Sequence, residues 1–238
     1  MKINKILNFL NPFSKVCPFC YNMQDNSDVC YECYAQLIFL KNACKKCQQP
    51  FDYILPDSDI CQLCHDNNDN IIEQMRCSLV YNNYLKSLII NYKNGNELIL
   101  KNIFAKIIYA NAQDLLKNCI ICPIPLSDEK LSKRGFNQCW YIAQCLQDMS
   151  GQEAVDILKR VKNTQSQENK SVKEREENMN GAFKVKNEYR EYIKGKNVCL
   201  VDDVITTGST MYSAAKELKK CGANVYLISL ARRIKFIN

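Results

Sequence analysis

Val198-Cys199-Leu200-Val201-Asp202-Asp203-Val204-Ile205-Thr206-Thr207-Gly208-Ser209-Thr210 changes character twice within thirteen residues. VCLV is a short apolar run, the pattern of a central strand in a parallel sheet. It ends in two adjacent carboxylates, and a turn of small hydroxyl residues around Gly208 follows before a helix begins near Ser209. In such a turn backbone amides approach a phosphate without obstruction, and the helix adds unpaired N–H groups and a positive dipole. The hydroxyls of Thr206, Thr207, Ser209 and Thr210 are further donors to phosphate oxygens. Two carboxylates side by side repel one another unless they face sugar hydroxyls or a cation carried by the ligand. Placement excludes the nearest look-alikes. Receiver domains carry their acidic strand end near the domain start, and no GxxxxGK or GxGxxG is present for an NTPase or dinucleotide reading.

Outward from this loop, strand and helix patterns alternate. Strands are expected at Cys77–Tyr81, 119–124, Val155–Arg160, Val198–Val201 and Val225–Leu230. Helices are expected at Tyr84–Tyr92, Glu97–Leu116, Asn137–Met149 and Ser209–Cys221, the last closed by Gly222. The 125–136 stretch reads as a polar loop. The pattern predicts an α/β domain over residues 71–238 with a mostly parallel sheet. The segment 162–180, KNTQSQENKSVKEREENMN, has almost no apolar residues and reads as an exposed loop running into a short helix.

The first 65 residues have a different logic. Eight of the 15 cysteines form four CxxC pairs, Cys17/Cys20, Cys30/Cys33, Cys44/Cys47 and Cys61/Cys64, with nine, ten and thirteen residues between neighbouring pairs. Two such knuckles supply the four thiolates of a tetrahedral zinc site, and a core this small needs metal to fold. Sets of four thiolates close the coordination completely, which makes the zinc structural, one ion or two. Consecutive pairing gives two ribbons; interleaved pairing fits the spacing as well. His65, the sole histidine, reads as a bystander. Cys119 and Cys122 lie on a strand that points them to opposite faces, and they read as core. So do Cys77, Cys139, Cys145, Cys199 and Cys221. HDNNDN at 65–70 links the module to the larger domain.

Composition narrows the function classes. A hydrophobic fraction of 47% with 24% charge fits a globular core and excludes a disordered chain. The net charge of +7 suits an anionic partner. No run approaches the roughly 18 apolar residues of a membrane span. The opening MKINKILNFLNPFSK has no cleavage-site pattern and reads as an uncleaved helix or turn, with a membrane-surface segment as the alternative. Thiols destined for metal suit a reducing compartment. The expected location is the cytoplasm, the alternative being peripheral attachment at the inner face of the cytoplasmic membrane.

The loop 198–210 resembles, position for position, the 5-phosphoribosyl-1-pyrophosphate (PRPP) signature of type I phosphoribosyltransferases. That resemblance implies a type I phosphoribosyltransferase fold. Asp202 and Asp203 become the catalytic pair on the ribose hydroxyls, and Thr206, Thr207, Gly208, Ser209 and Thr210 the cradle of the 5′-phosphate, with Mg2+ accompanying PRPP. It also assigns pyrophosphate contacts to Arg134 in KRGFNQ and to Lys170, Lys173 and Arg175 in the charged loop.

The combination of paired knuckles, PIPLSDEKLSKRGFNQ, Arg160-x3-Thr164-x2-Gln167, the Arg175–Phe183 segment and VDDVITTGST resembles the ComF family of competence proteins almost end to end. The resemblance implies a protein of natural transformation that handles incoming single-stranded DNA, with a ComFA-type helicase and DprA as neighbours. Two alternatives stay open: an active phosphoribosyltransferase in nucleobase salvage, and a zinc-ribbon DNA-binding module with a non-catalytic phosphate loop. About eight residues follow the last expected strand, too few for a hood over an acceptor base. The cysteine module is therefore expected over the carboxyl ends of the strands.

Overall fold

A computed structural model describes residues 16–22, 28–51, 59–66, 70–95, 99–162 and 181–234. In chain order the elements are α1 (Tyr31–Ala35), α2 (Gln62–Asp66), β1 (Gln74–Val80), α3 (Asn83–Lys93), α4 (Leu100–Leu116), β2 (Cys119–Pro123), α5 (Asp128–Arg134) and α6 (Gln138–Ser150). They continue with β3 (Leu158–Arg160), β4 (Phe183–Val185), β5 (Asn197–Ile205), α7 (Ser209–Lys220) and β6 (Asn224–Arg232). Four strands form a parallel sheet in the order β1-β6-β5-β2, and β3 and β4 pair antiparallel beside it.

Burial explains why the central strands are apolar throughout. Val198 to Val201 have no exposed surface, and all five residues of β2 are buried. On one face, Phe104 and Ile108 of α4 and Ile142 and Leu146 of α6 pack with Cys199, Val201 and Ile228. On the other, α7 presents Met211, Ala214, Ala215 and Leu218, one helical face at i, i+3, i+4 and i+7, to Val198, Leu200 and Leu227. Cys119 falls in the first cluster and Cys122 in the second, as strand alternation requires.

The chain leaves β2 toward the α6 face and leaves β5 toward the α7 face. Connections diverging from neighbouring strands open a crevice at their carboxyl ends, where open α/β sheets hold ligands. This crevice positions the site.

Strand β1 begins earlier than expected, β3 keeps only the last three residues of its expected span and β6 runs on to Arg232; three further expectations need a physical correction. The strand expected to stop at Val201 continues to Ile205, because β6 stays paired with it as far as Ile205↔Arg232. The polar stretch after β2 contains α5. It buries no residue, so it has no apolar period, and its end signals carry it instead: Ser127 accepts from the Lys130 amide, Asp128 and Glu129 open the first turn, Lys133 and Arg134 close the last, and Gly135 follows at φ 76°. Strand β4 was not foreseen; its register against β3 is Leu158↔Val185 to Arg160↔Phe183.

The cysteine-rich segment docks on the free edge of β1. Phe39 bridges Leu79 antiparallel, Val80 donates to the Ile38 carbonyl (2.8 Å), and Leu40 donates to the Ser78 carbonyl (2.9 Å). Further along, the Met75 amide reaches the Lys45 carbonyl (2.7 Å). The Cys77 amide reaches Gln48 Oε1 (2.9 Å), a side chain serving where the backbone has turned away at φ 56°. Cys17, Phe19, Cys30 and Cys33 join the apolar cluster of α3 and α4, with the Phe19 ring 6.5 Å from those of Tyr84 and Phe104.

Candidate functional site

Asp203 sits in β5 with 4% of its surface exposed. A lone carboxylate there would be costly, and Lys93, the last residue of α3, compensates it: Nζ lies 2.9 Å from Oδ1 and 2.8 Å from Oδ2. Burial, the largest single influence, pulls the Lys93 ammonium down, but the charge and hydrogen bond of Asp203, with the charge of Asp202, together outweigh it and the net direction is up. Gln138 Nε2 adds a weaker contact to Asp203 Oδ2 (3.4 Å), and Gln138 Oε1 is buried without a hydrogen-bond partner.

Asp202 is only partly buried by surface area. Its Oδ1 accepts from the Asp203 amide (2.9 Å) and from Cys139 Sγ (3.5 Å). Burial and the neighbouring Asp203 charge push its carboxyl up to about 7, with Lys93 opposing them. Burial and the two carboxylates hold the Cys139 thiol well above its usual range, so it stays protonated and donates. Cys139, expected as plain core, is thus buried but belongs to the site. Asn137 fixes this end of α6: Oδ1 accepts from the Cys139 amide (3.0 Å), and Nδ2 donates to the Ile124 carbonyl just past β2 (3.1 Å).

After Ile205 the chain turns through Thr206 to Gly208, where φ is 85° and a Cβ would touch only Ile205 Cγ2 at 3.9 Å. The requirement for glycine is therefore the left-handed backbone, not space. Thr207 Oγ1 and Ser209 Oγ lie 2.9 Å apart, and the Ser209 amide points at Thr207 Oγ1 (3.4 Å). Thr206 is exposed, and Thr207 to Thr210 are all partly exposed at the amino end of α7.

Two cations act on the acidic pair, Lys93 on both carboxylates and Arg160 on Asp202. Partial burial lowers Lys130 of α5, and the charges of Arg160, Arg134 and Lys93 lower it further. Arg160, also lowered by burial, is drawn up by Asp202, and its guanidinium lies 5.5 Å from the Phe183 ring centroid. The structure thus places Asp202, Asp203 and Thr206 to Thr210 in succession along the end of β5 and the turn into α7, and puts Arg134 at the end of α5, where its charge acts on Lys130. Lys170, Lys173 and Arg175 lie outside the described residues. Sequence reasoning missed Lys93, Lys130 and Gln138. Lys93 ends an amphipathic helix, and no local pattern distinguishes a cation bound for a strand 110 residues away.

The donor set Cys139, Asp202 and Asp203 lies within 4.8 Å but suits a resident hard cation poorly. One member is a protonated thiol, and Lys93 already balances Asp203. Acceptors facing hydroxyl donors fit it better. The two cysteine sets fit zinc. Cys17, Cys20, Cys30 and Cys33 form one, and Cys44, Cys47, Cys61 and Cys64 the other, each with its sulfurs within 4.8 Å. A tetrahedron with bonds of about 2.3 Å has edges of about 3.8 Å. Cys20–Cys30 and Cys47–Cys61 are each 3.7 Å apart. Backbone amides of Cys30 and Cys61 point at Cys17 and Cys44 sulfurs (3.4 and 3.3 Å), as thiolates require. Pairing is consecutive, and exposed His65 stays outside.

Residues 142–235 match the family described as phosphoribosyl transferase domain. Competence protein F of Haemophilus influenzae is 33% identical over 159 residues, covering 62% of this chain and 68% of that protein. The chain belongs to the ComF family of competence proteins. Competence protein ComFC of Bacillus subtilis is 27% identical over 225 residues, 88% of this chain and 86% of its own. ComFC of Streptococcus pneumoniae is 26% identical over 221 residues, 84% and 93%. This ComF-family chain has the type I phosphoribosyltransferase fold with an N-terminal pair of four-cysteine clusters.

Proposed function

We propose that this ComF-family protein binds PRPP with Mg2+ in the crevice at the carboxyl end of β5 and acts in natural transformation on incoming single-stranded DNA in the cytoplasm. One observation carries the binding half. A pair of adjacent carboxylates, Asp203 buried and paired with Lys93 and Asp202 partly buried beside it, stands directly ahead of the partly exposed hydroxyl turn at the amino end of α7. In this reading Asp202 and Asp203 accept hydrogen bonds from the ribose 2′ and 3′ hydroxyls. Thr206 to Thr210 hold the 5′-phosphate. Arg134 meets the pyrophosphate, joined by Lys170, Lys173 and Arg175, while the bound magnesium ion offsets part of its charge. Lys93 and Cys139 keep the acidic pair in place and neutral enough to stay buried when no ligand is bound.

The DNA half rests on the names of the relatives, competence proteins and a DNA utilization protein of Escherichia coli that is 33% identical over 107 residues, 43% of this chain and 44% of that protein. A ComFA-type helicase and DprA are the proposed neighbours. No helix among the described residues is long and apolar enough to cross a membrane.

Titration calorimetry of the zinc-loaded chain with Mg-PRPP tests the binding. Saturable one-site binding is expected, lost in Asp202→Ala/Asp203→Ala. Equal binding by the double variant overturns the assignment. Pyrophosphate release with a panel of bases then distinguishes turnover from binding alone.

A further inference from the structure

Arg232, at the end of β6, carries a permanent charge and is only 6% exposed. Among the described residues no carboxylate lies within ion-pair distance of it. Its hydrogen bonds go to three backbone carbonyls from two parts of the molecule. Nε donates to the Cys47 carbonyl of the second four-cysteine cluster (3.1 Å). The terminal nitrogen Nη1 donates to the Ile205 carbonyl (3.2 Å) and to that of Thr206. Peptide units are planar, and none here is cis. Holding the Ile205 and Thr206 carbonyls on the Arg232 side therefore turns the amides of Thr206 and Thr207 the opposite way.

We infer that Arg232 is a positioning residue that couples the metal state of the Cys44/Cys47/Cys61/Cys64 cluster to the shape of the phosphate loop. Cys47 is one corner of that cluster, so its carbonyl stays where Arg232 needs it only while the knuckle is closed. When the knuckle opens, a buried guanidinium loses one of its acceptors, and a buried charge with unmet donors pulls its surroundings into a new arrangement. The Ile205 carbonyl also accepts from the Arg233 amide (2.9 Å) and stays in the sheet, so it is the Thr206 carbonyl of the loop that then shifts. Among the described residues Cys17, Cys20, Cys30 and Cys33 show no such tie; they pack on α3 and α4 instead. The two clusters thus differ in role: one anchors, the other reports. Linkage makes the effect reciprocal, so a ligand that fixes the loop holds metal in the second cluster more tightly.

The inference rests on the phosphate-loop reading, and the test separates the two. Hydrogen exchange of the 203–212 backbone and Mg-PRPP calorimetry are measured on the full zinc-loaded chain and on three altered chains: Cys61→Ser/Cys64→Ser, Arg232→Met and Arg232→Lys. Opening only the second cluster should speed loop exchange at least tenfold while β2 and α6 keep their protection. Arg232→Met should do the same, and combining it with the cysteine changes should add less than twofold more. Arg232→Lys, which keeps the charge without the fork, should fall between. PRPP affinity should follow the same order. Unchanged loop exchange in Cys61→Ser/Cys64→Ser, or effects that multiply in the combined variant, would overturn the coupling. Absence of PRPP binding by the wild type overturns the binding reading, and loop exchange then decides the coupling alone. If Arg232→Met fails to fold, the same cycle is run with Arg232→Lys.

Discussion

Asp202 titrates near 7 because burial and the Asp203 charge disfavour its ionised form more than Lys93 favours it. An aspartate in the unfolded chain titrates near 4. Between roughly those values the folded chain holds the extra proton. The stability contributed by this group is therefore full below about 4 and falls as pH rises through about 7. Asp202→Asn should flatten the decline of the melting temperature between pH 5 and pH 8. Ligand binding should run the other way, because the ionised carboxylate is the better acceptor for a sugar hydroxyl. Calorimetry at pH 6, 7 and 8 should show wild-type affinity for Mg-PRPP rising with pH. The part that persists in Asp202→Asn belongs to the ligand phosphate, which itself titrates near about 6. If both chains show the same dependence, Asp202 is not the group being read. Lys93 has a different signature. Lys93→Met strands Asp203 in a buried position and should cost about 3 kcal/mol in urea unfolding at pH 8.

Among the elements, the loop between β5 and α7 was legible because its chemistry is local: apolar strand, acidic pair, glycine and hydroxyls all lie within thirteen residues. Gly208→Ala tests that legibility. With φ at 85° and only a 3.9 Å contact for the new methyl, the cost is backbone strain of about 1–2 kcal/mol. Unfolding midpoints should fall accordingly, and Mg-PRPP affinity should drop about tenfold as the turn relaxes. A variant with wild-type affinity would show that the turn does not set the phosphate position. Helix α5 escaped notice although Ser127, Asp128, Glu129 and Gly135 spelled out its ends, because a helix that buries nothing has no period to read. Strand β5 runs past its apolar stretch because pairing with β6 decides where a strand ends, and pairing partners are not written in adjacent residues. Cys139 looked like core for the same reason. Its burial was evident from the residues around it, whereas its partner Asp202 lies 63 positions away.

For the molecule as a whole, the cysteine pattern gave the number of ligands but left their pairing open, and the sulfur distances make it consecutive. Spacing could not show that the two clusters would grip different parts of the larger domain. It also could not show that Gln48 and Arg232 would bind the second cluster to a strand edge and a loop, since each contact spans at least 29 residues. Chelation of both metals should accordingly do more than unfold a small appendage. Tryptophan-independent probes such as far-ultraviolet dichroism should lose the module and part of the β1 signal together.

The bridge between Phe39 and Leu79, with the bonds at Ile38, Leu40, Lys45 and Gln48, covers a parallel strand that would otherwise end the sheet with bare amides. An open strand edge recruits other copies of itself. Loss of metal should therefore appear first as concentration-dependent light scattering, at chelator levels where the crevice side of the sheet is still folded. For a cell short of zinc, the consequence is one of quantity. The protein would leave solution as aggregate before an intact but idle population could accumulate, and abundance would follow metal supply.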